Sequence, residues 1–524
     1  MMKKIFIAVL LPAFWLLTGA CKKDFIEINT DPGQITEDEI NFNYLFTNAQ
    51  LLTSGNTDGY GYEDWRNNLI YSGCIIQHLS STISYWNGDK YLYNAGYNSA
   101  YWDKNYPNSI ADIVEVIHHV EKDSARYNLY HICRIFKAFM FQRMTDMYGD
   151  CPYFQAGLGY ISGITSPEYD QQKDIYADLL NELKDAAAHL DPGKANTIGT
   201  GDLLYQGNPV AWKRFAYSEM VRVAMRLSKV DPDMARQWVQ TAVQGGVMTS
   251  NTDNAVLQHE NITGTPVVNG SGLVLLGNDP AGYRLSETFV NFLRHMGDPR
   301  LSYLATVCAD PMAPADKGDT TFSRQLGQPN GYDPPSTDIN SPRDLSNAAN
   351  WTGNQNDYSV VNRYTFSRLE APTFFLTYGE TELLLAEAAA RGWISGDPAG
   401  HYTAGVRAAM QQLGSQAGAG PSMDRINGWL ALHPYDPAHG LQQINEQYWV
   451  AGFMDENECF ANWRRSNYPL LSPVAYPGNI TGGTIPRRYT YPQSEASTNS
   501  VHYNAAASRL ANGDRMTSRI WWDK

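Results

Sequence analysis

Two carboxylates seven residues apart, Glu380 and Glu387, are the nearest thing to a catalytic pair in this sequence. On one helix face their Cα atoms would lie roughly 10 Å apart, a separation that does not exclude a glycosidase acid pair. Such a pair needs an open groove, and Leu383 and Leu384 stand between them. The same spacing describes helix acids that meet nearby arginines or solvent. His118, His119 and His131 lack a convincing third metal ligand. Asp310, Asp316 and Asp319 miss the order of oxygens that a calcium loop requires. GxSxG, HExxH and GxxxxGK[ST] are absent. The expectation is a chain without catalytic residues, metal or cofactor.

Recognition chemistry is denser. Tyr60, Tyr62 and Trp65 precede Tyr85-Trp86-Asn87-Gly88-Asp89-Lys90-Tyr91-Leu92-Tyr93, with Tyr97, Tyr101 and Trp102 close behind. Flat rings stack on the apolar face of a neutral sugar or clasp a peptide, while neighbouring amides and carboxylates bind its polar groups. The candidate contacts are Tyr62, Trp65, Tyr85, Trp86, Asn87, Asp89, Tyr91 and Tyr93. Trp86 leads them because its ring lies among polar residues. Trp351, Asn354, Asn356 and Tyr358 form a second candidate. The competing reading is that these rings pack a long loop onto helices.

The elements that must position these residues are mostly helical. Ile113, Val116, Ile117 and Val120 recur at spacings of 3 and 4, as do Ile132, Ile135, Phe136 and Met140 in a helix that Asp123 or Ser124 could cap. Gln171 to Leu190 carries Ile175, Leu179, Leu183 and Ala186 on one face. Asn208-Pro209 opens a helix in which Arg222 and Arg226 align at i, i+4, and Asp231-Pro232 opens the next. Helical pattern returns at Phe374, Tyr378, Thr381, Leu385 and Ala388, near Tyr402 to Leu413, and from Leu441 to Met454. Successive helices on short joints predict stacked hairpins. Residues 246 to 370, rich in Gly, Asn, Asp, Pro and Thr, read as long loops broken by a helical piece from Ser286 to Met296. The tail from Asn462 is Pro-rich and irregular but ends in Trp521-Trp522, so it is expected to fold back on the body.

Charge and cysteine content narrow the function further. The formal charge of -14 and the absence of a basic run argue against nucleic-acid binding. Lys3 and Lys4 followed by apolar Ile5 to Leu17 read as an export signal, too short to span a bilayer. It ends in Leu17-Thr18-Gly19-Ala20-Cys21, which resembles a bacterial lipobox with Thr18 where Leu is preferred. The predicted organisation is a signal peptide over 1–20 and one domain over 21–524 with Cys21 acylated. An ordinary signal peptide cut near Ala20 is the alternative. Cysteines 74, 133, 151, 308 and 459 fit neither zinc nor CxxC spacing and read as buried small hydrophobes.

Several segments together resemble the SusD/RagB family of Bacteroidetes surface lipoproteins, in particular its SusD-like, starch-binding, outer-membrane-associated branch. They are Asn29-Thr30-Asp31-Pro32, Asp146-Met147-Tyr148-Gly149-Asp150-Cys151-Pro152-Tyr153, Pro167-Glu168-Tyr169-Asp170, and Trp212-Lys213 leading to Arg222-Val223-Ala224-Met225-Arg226. Later come Glu380 to Ala388, Trp463-Arg464-Arg465, Ile485-Pro486-Arg487-Arg488, Tyr491-Pro492, Glu495 and Arg519-Ile520-Trp521-Trp522. The resemblance implies an all-α, tetratricopeptide-like hairpin scaffold, mainly residues 36–245 and 373–454, with a loop-rich excursion over 246–370 and an irregular tail over 462–524. It implies a non-catalytic lipoprotein of the outer membrane, held by its lipid anchor alone. Such a protein captures a glycan for a SusC-type TonB-dependent transporter. A peptide ligand of the RagB type is the alternative, and a secreted glycoside hydrolase a more distant one. The matching motifs carry no ligand residue with them.

Overall fold

In the computed structural model, the structure describes residues 40–262, 264–336, 341–418 and 420–524. Cys21, the signal segment and the Asn29-Thr30-Asp31-Pro32 match lie outside the described residues. Residues 43–524 fold as one compact unit.

Several helices start where a capping side chain or a proline sits. Helix α1 runs Phe42–Thr53, α2 Ala95–Asn105, α3 Ala111–Val120, α4 Tyr127–Tyr148 and α5 Gln172–His189. Asp123 does cap, but it caps a 3-10 turn at Ser124–Arg126 ahead of α4. Helix α6, Pro209–Arg226, takes Asn208 as its cap, and α7, Pro232–Gly245, takes Asp231. Within the excursion Ser286 caps α8, Glu287–His295. The second helical stretch comprises α9 Tyr378–Ala390, α10 Pro398–Ala417, α11 Met423–Leu432, α12 Gly440–Ala451 and α13 Glu456–Ser466. Helix α14, Ser500–Arg509, gives the tail more regular structure than its composition predicts, and α13 reaches past Asn462. A 10-residue π-helical segment, Asp64–Gly73, links α1 to the aromatic loop.

Two short antiparallel pairs tie the excursion to the scaffold, and a third closes within it. Strand β1, Leu79–Ser81, pairs with β3, Tyr283–Leu285; β2, Ala255–Leu257, with β6, Thr373–Leu376; and β4, Ala305–Thr306, with β5, Val360–Val361. Phe374, which the sequence pattern assigns to a helix, therefore lies in a strand, and the helix begins at Tyr378 behind the cap Thr377.

Pairs α4/α5, α6/α7 and α9/α10 pack as neighbours, with α5 against α6 and α9 against α12. Their inner faces are apolar and aromatic. Phe136 meets Trp212 edge-on at 6.3 Å and Phe139 meets Phe215 at 5.9 Å. All four are fully buried, each contributing about 1.5–3 kcal/mol of transfer free energy. Cysteines 74, 133, 151, 308 and 459 are free and buried.

Through this core runs a buried ionic network. Arg222 donates to both Glu380 oxygens at 2.7 and 2.8 Å and to the Phe375 carbonyl at 2.9 Å. Arg226, one turn on, reaches Asp146 of α4 at 3.0 Å and Glu458 of α13 at 2.5 Å. The Tyr448 hydroxyl joins Glu380 and Glu458, and Tyr176 and Trp522 both donate to Asp146. Beside it, Arg465 clasps Glu387 with two bonds of 2.7 Å, supported by Arg391 and Asn445. The two glutamates are thus ion-pair partners in a closed interior. Trp522 anchors the C-terminal tail there, fully buried.

These environments give stability a defined pH profile. Burial alone would raise the Glu387 and Glu458 carboxyls, but the arginine charges and hydrogen bonds outweigh it and hold both at about 2. That stabilisation is complete above the ordinary glutamate value of 4.5 and is lost as pH falls towards 2. Burial pushes Glu63 up to about 8 and Asp64 and Glu219 up to about 7, so the folded chain retains protons that the unfolded chain has released. Each of the three therefore removes stability as pH rises from its ordinary value, 3.8 for the aspartate and 4.5 for the glutamates, to about 7 or 8. Burial holds His131 and His259 down at about 4, which favours the folded state as pH rises, but only up to 6.5. The thermal midpoint should peak in the weakly acidic range and fall on either side. Arg465→Met should cost about 3–5 kcal/mol at pH 7 by stranding Glu387 and should flatten the acid limb. Urea unfolding of both proteins across this range measures each effect.

Candidate functional site

The loop before the π-helical segment makes two tight turns. Gly59 and Gly61 have φ of 73° and 71°, and a Cβ on either would lie within 3 Å of the carbonyl oxygen of Gly264 or Gly270. Glycine at these positions lets the loop lie against a second loop, from the excursion. Asp58 steadies the turn by accepting from the Tyr60 and Tyr62 amides at 2.9 and 3.3 Å. Tyr60 is thereby turned outward, 64% exposed, with its carbonyl held by the Asn278 amide at 2.8 Å.

Tyr62 and Trp65 are half-buried beside it. The Arg66 guanidinium stacks 3.0 Å above the Tyr62 ring and stands 5.4 Å from Trp65 and 5.9 Å from Tyr97. Lys104 approaches the same Tyr62 ring at 5.3 Å and pairs with Asp58 at 3.6 Å. At the centre lies Asp279. It accepts from the Trp65 indole at 3.2 Å, from the Trp86 indole, and from the Tyr85 hydroxyl. Burial raises the Asp279 carboxyl above the usual range, and these three donors offset part of that rise. One carboxylate thus fixes three aromatic side chains, two of them facing solvent. The product is a rigid surface of Tyr60, Tyr62, Trp65, Tyr85 and Tyr97 with two cations, Arg66 and Lys104, against it. It suits stacking on a flat neutral ligand.

The structure divides the sequence candidates. Tyr62, Trp65 and Tyr85 share this face. Trp86 does not, which corrects the expectation that it is the leading contact: it is fully buried, stacked on Tyr283 at 5.8 Å. Asp89 is also buried, accepting from the Ser81 amide and hydroxyl at 3.2 and 2.9 Å and the Gly331 amide at 3.1 Å, so it fastens the loop. Asn87 and Tyr91 are interior as well, with the Tyr91 hydroxyl accepting from the Val474 amide. Tyr93 is exposed but lines another groove, with Ile480, Tyr491 and Tyr503.

The second candidate patch is mainly a satellite core. Tyr358 is fully buried, bonds to Asn350 at 3.0 Å and packs with Leu345, Ala348 and the half-buried Trp351. Asn354 is exposed, but its side chain caps the 3-10 turn Gln355–Asp357. Sequence reasoning missed Asp279 and Arg66. Asp279 lies 214 residues from Trp65, and no local pattern marks it.

Among the described residues no group of three His, Cys, Asp or Glu side chains could hold a metal ion. His119 pairs with Glu115, and His131 stacks on His189 at 5.1 Å. Asp316 and Asp319 accept from loop amides.

Trp86→Ala should cost about 3–5 kcal/mol of stability, because it opens the packing under the face and removes a donor from Asp279. Tyr85→Ala, at an exposed ring, should cost only about 0.5–1.5 kcal/mol, the contribution of its hydrogen bond to Asp279. Denaturant titration of the two variants checks the contrast.

Comparison with known proteins agrees with this architecture. The SusD-like family model, described as starch-binding and associating with the outer membrane, matches residues 34–492. A solved chitin-binding protein shares 31% identity with a TM-score of 0.80, over 92% of this chain and 100% of its own. A Bacteroidetes SusD-like protein shares 28% identity, also at 0.80, over 93% and 100%. A chitin-binding SusD homolog from Flavobacterium johnsoniae, 22% identical with a TM-score of 0.74 over 92% and 98%, shares the fold. No curated protein sequence matches. The chain belongs to the SusD-like family of glycan-binding proteins that associate with the outer membrane, and is a binding protein rather than an enzyme.

Proposed function

We propose that this protein captures a chitin-type oligosaccharide on the aromatic face around Asp279 and passes it to a SusC-type TonB-dependent transporter. The observation that carries this reading is the face itself: five neighbouring rings, two of them held by one carboxylate, on a chain 31% identical to a chitin-binding protein. Tyr60 and Tyr85 offer open ring faces to pyranose units, while Arg66 and the loop amides offer donors to hydroxyl and acetamido oxygens. Capture for a transporter also requires release, so moderate affinity with a fast off-rate suits the role. Glu380 and Glu387 are each held in an arginine ion pair, which leaves bound glycan without a free acid pair to cleave it.

Calorimetry with chitin oligosaccharides, maltooligosaccharides and an unrelated peptide tests the ligand class. Chitin oligosaccharide should bind most tightly and be recovered intact. Tyr85→Ala should weaken it by about 1–3 kcal/mol with the fold unchanged. Binding of the peptide alone would move the reading to the RagB type.

Cys21 is proposed as the acylated first residue of the mature chain, with two acyl chains supplying the membrane affinity and raising the effective concentration beside the transporter. Mass spectrometry of detergent-extracted protein should find the acyl groups on Cys21. Pull-down from the same extract should recover a large outer-membrane barrel. An unmodified Cys21, or no barrel under conditions that preserve other membrane complexes, would end this part of the proposal.

A further inference from the structure

Behind the aromatic face, on the other side of the loop Gly55–Gly61, lies a cavity of about 110 Å³. Tyr62 and Glu63 mark the division: the tyrosine is on the face, and the glutamate points into the chamber. Its lining includes buried Glu63, Asn67 and Asn457 and partly exposed Ser54, Gly55 and Gln412. Phe374, Leu413 and Phe453 provide an apolar wall. The space is several times what one water needs.

The polar groups of this chamber fall into two sets. The charged ones already have partners: Arg143 with Asp455 at 2.8 Å, Arg300 with Asp298, Glu380 with Arg222, and Glu458 with Arg226. The other set lacks them. Both amide atoms of Asn67, one carboxyl oxygen of Glu63, the side-chain oxygen of Gln416 and one guanidinium nitrogen of Arg300 are buried with no hydrogen-bond partner. Leaving such atoms unmatched costs about 1–3 kcal/mol each, and the five belong to residues that line this one space, though each is covered in the resting arrangement. They include donors and acceptors together.

We propose that this chamber is a second ligand site, separate from the aromatic face, for a small uncharged polyhydroxyl molecule up to one sugar ring in size. Hydroxyl groups both give and accept, so once small side-chain rotations turn these covered atoms towards the chamber they can answer Asn67, Glu63, Gln416 and Arg300 together. A charged ligand would find no unpaired opposite charge. Burial pushes the Glu63 carboxyl up to about 8 and Asp64 up to about 7, which keeps both mainly protonated at weakly acidic pH and removes the demand for a counterion. The phenylalanine and leucine wall fits the apolar face of a sugar ring. The inference does not depend on which glycan occupies the outer face.

The experiment uses the detergent-solubilised full chain with N-acetylglucosamine and glucose as probes, read by thermal shift and calorimetry, together with crystals soaked in the same sugars. The parent and Tyr85→Ala should show a saturable rise in thermal midpoint with at least one monosaccharide. Asn67→Leu should weaken that binding at least about tenfold, leave chitin-oligosaccharide binding unchanged, and keep or raise the ligand-free midpoint, since it replaces an unpartnered amide by an apolar group of similar size. Gln416→Met, at another residue of the lining, gives a second reading if Asn67→Leu folds poorly. The proposal is overturned by the absence of a saturable shift, by a shift that Tyr85→Ala abolishes and both chamber variants keep, or by soaked crystals with only water in the chamber. Loss of oligosaccharide binding in Tyr85→Ala with monosaccharide binding intact would separate this site from the outer face.

Discussion

The structure depends on the pair of arginines one turn apart on α6. Arg222 and Arg226 are both fully buried, and their charges require partners there, because an unpaired buried guanidinium costs several kcal/mol. Those partners come from distant parts of the chain: Asp146 on α4, Glu380 on α9 and Glu458 on α13. Each pair fixes where one helix sits against α6. Hydrophobic burial would allow these helices to slide, whereas a bidentate ion pair in a closed interior permits little movement. The network therefore acts as a register for the helical stack. Well-packed apolar residues can match the stability of such a network but do not impose this directional matching.

The second consequence concerns the tail. Trp522 donates to Asp146, Arg487 bonds to Asp523, and two Arg488 nitrogens bond to the Tyr148 carbonyl. The last residues of the chain thus close the same layer that α4 and α6 begin. Motifs scattered from Asp146 to Trp522 meet within one region of the core.

The face itself follows a similar economy on a smaller scale. Asp279 collects two indoles and a phenol, one of which, Trp86, belongs wholly to the interior. Through it the packing beneath the loop determines how Trp65 and Tyr85 are presented. A long loop would lose affinity by having to order itself on binding, and anchoring its rings to one buried carboxylate removes much of that cost. Strands β1 and β3 lock the segment carrying Asp279 to the segment carrying the tyrosines, so the two halves of the face are built as one piece.

The sequence by itself determined the helices and the class of protein. Periodic apolar residues, Asn208-Pro209 and Asp231-Pro232, and the paired Arg222 and Arg226 are local signals, because a helix repeats every 3.6 residues and its caps act on the next turn. The density of aromatics likewise marked the Tyr60 to Tyr97 segment as the place to look. Which of those rings meet solvent was decided only by tertiary structure. Trp86 and Tyr85 are adjacent and share a carboxylate partner, yet one is wholly interior and the other exposed. Composition is the same for both, and burial depends on what packs above each ring. Asp279 and Tyr283, more than 180 residues further along, provide that packing. Strand β6 shows the same limit, since Phe374 fits the helical spacing but is drawn into a strand by its distant partner β2. Contacts between residues far apart in the chain leave no period to read, and they alone separate a buried aromatic from an exposed one.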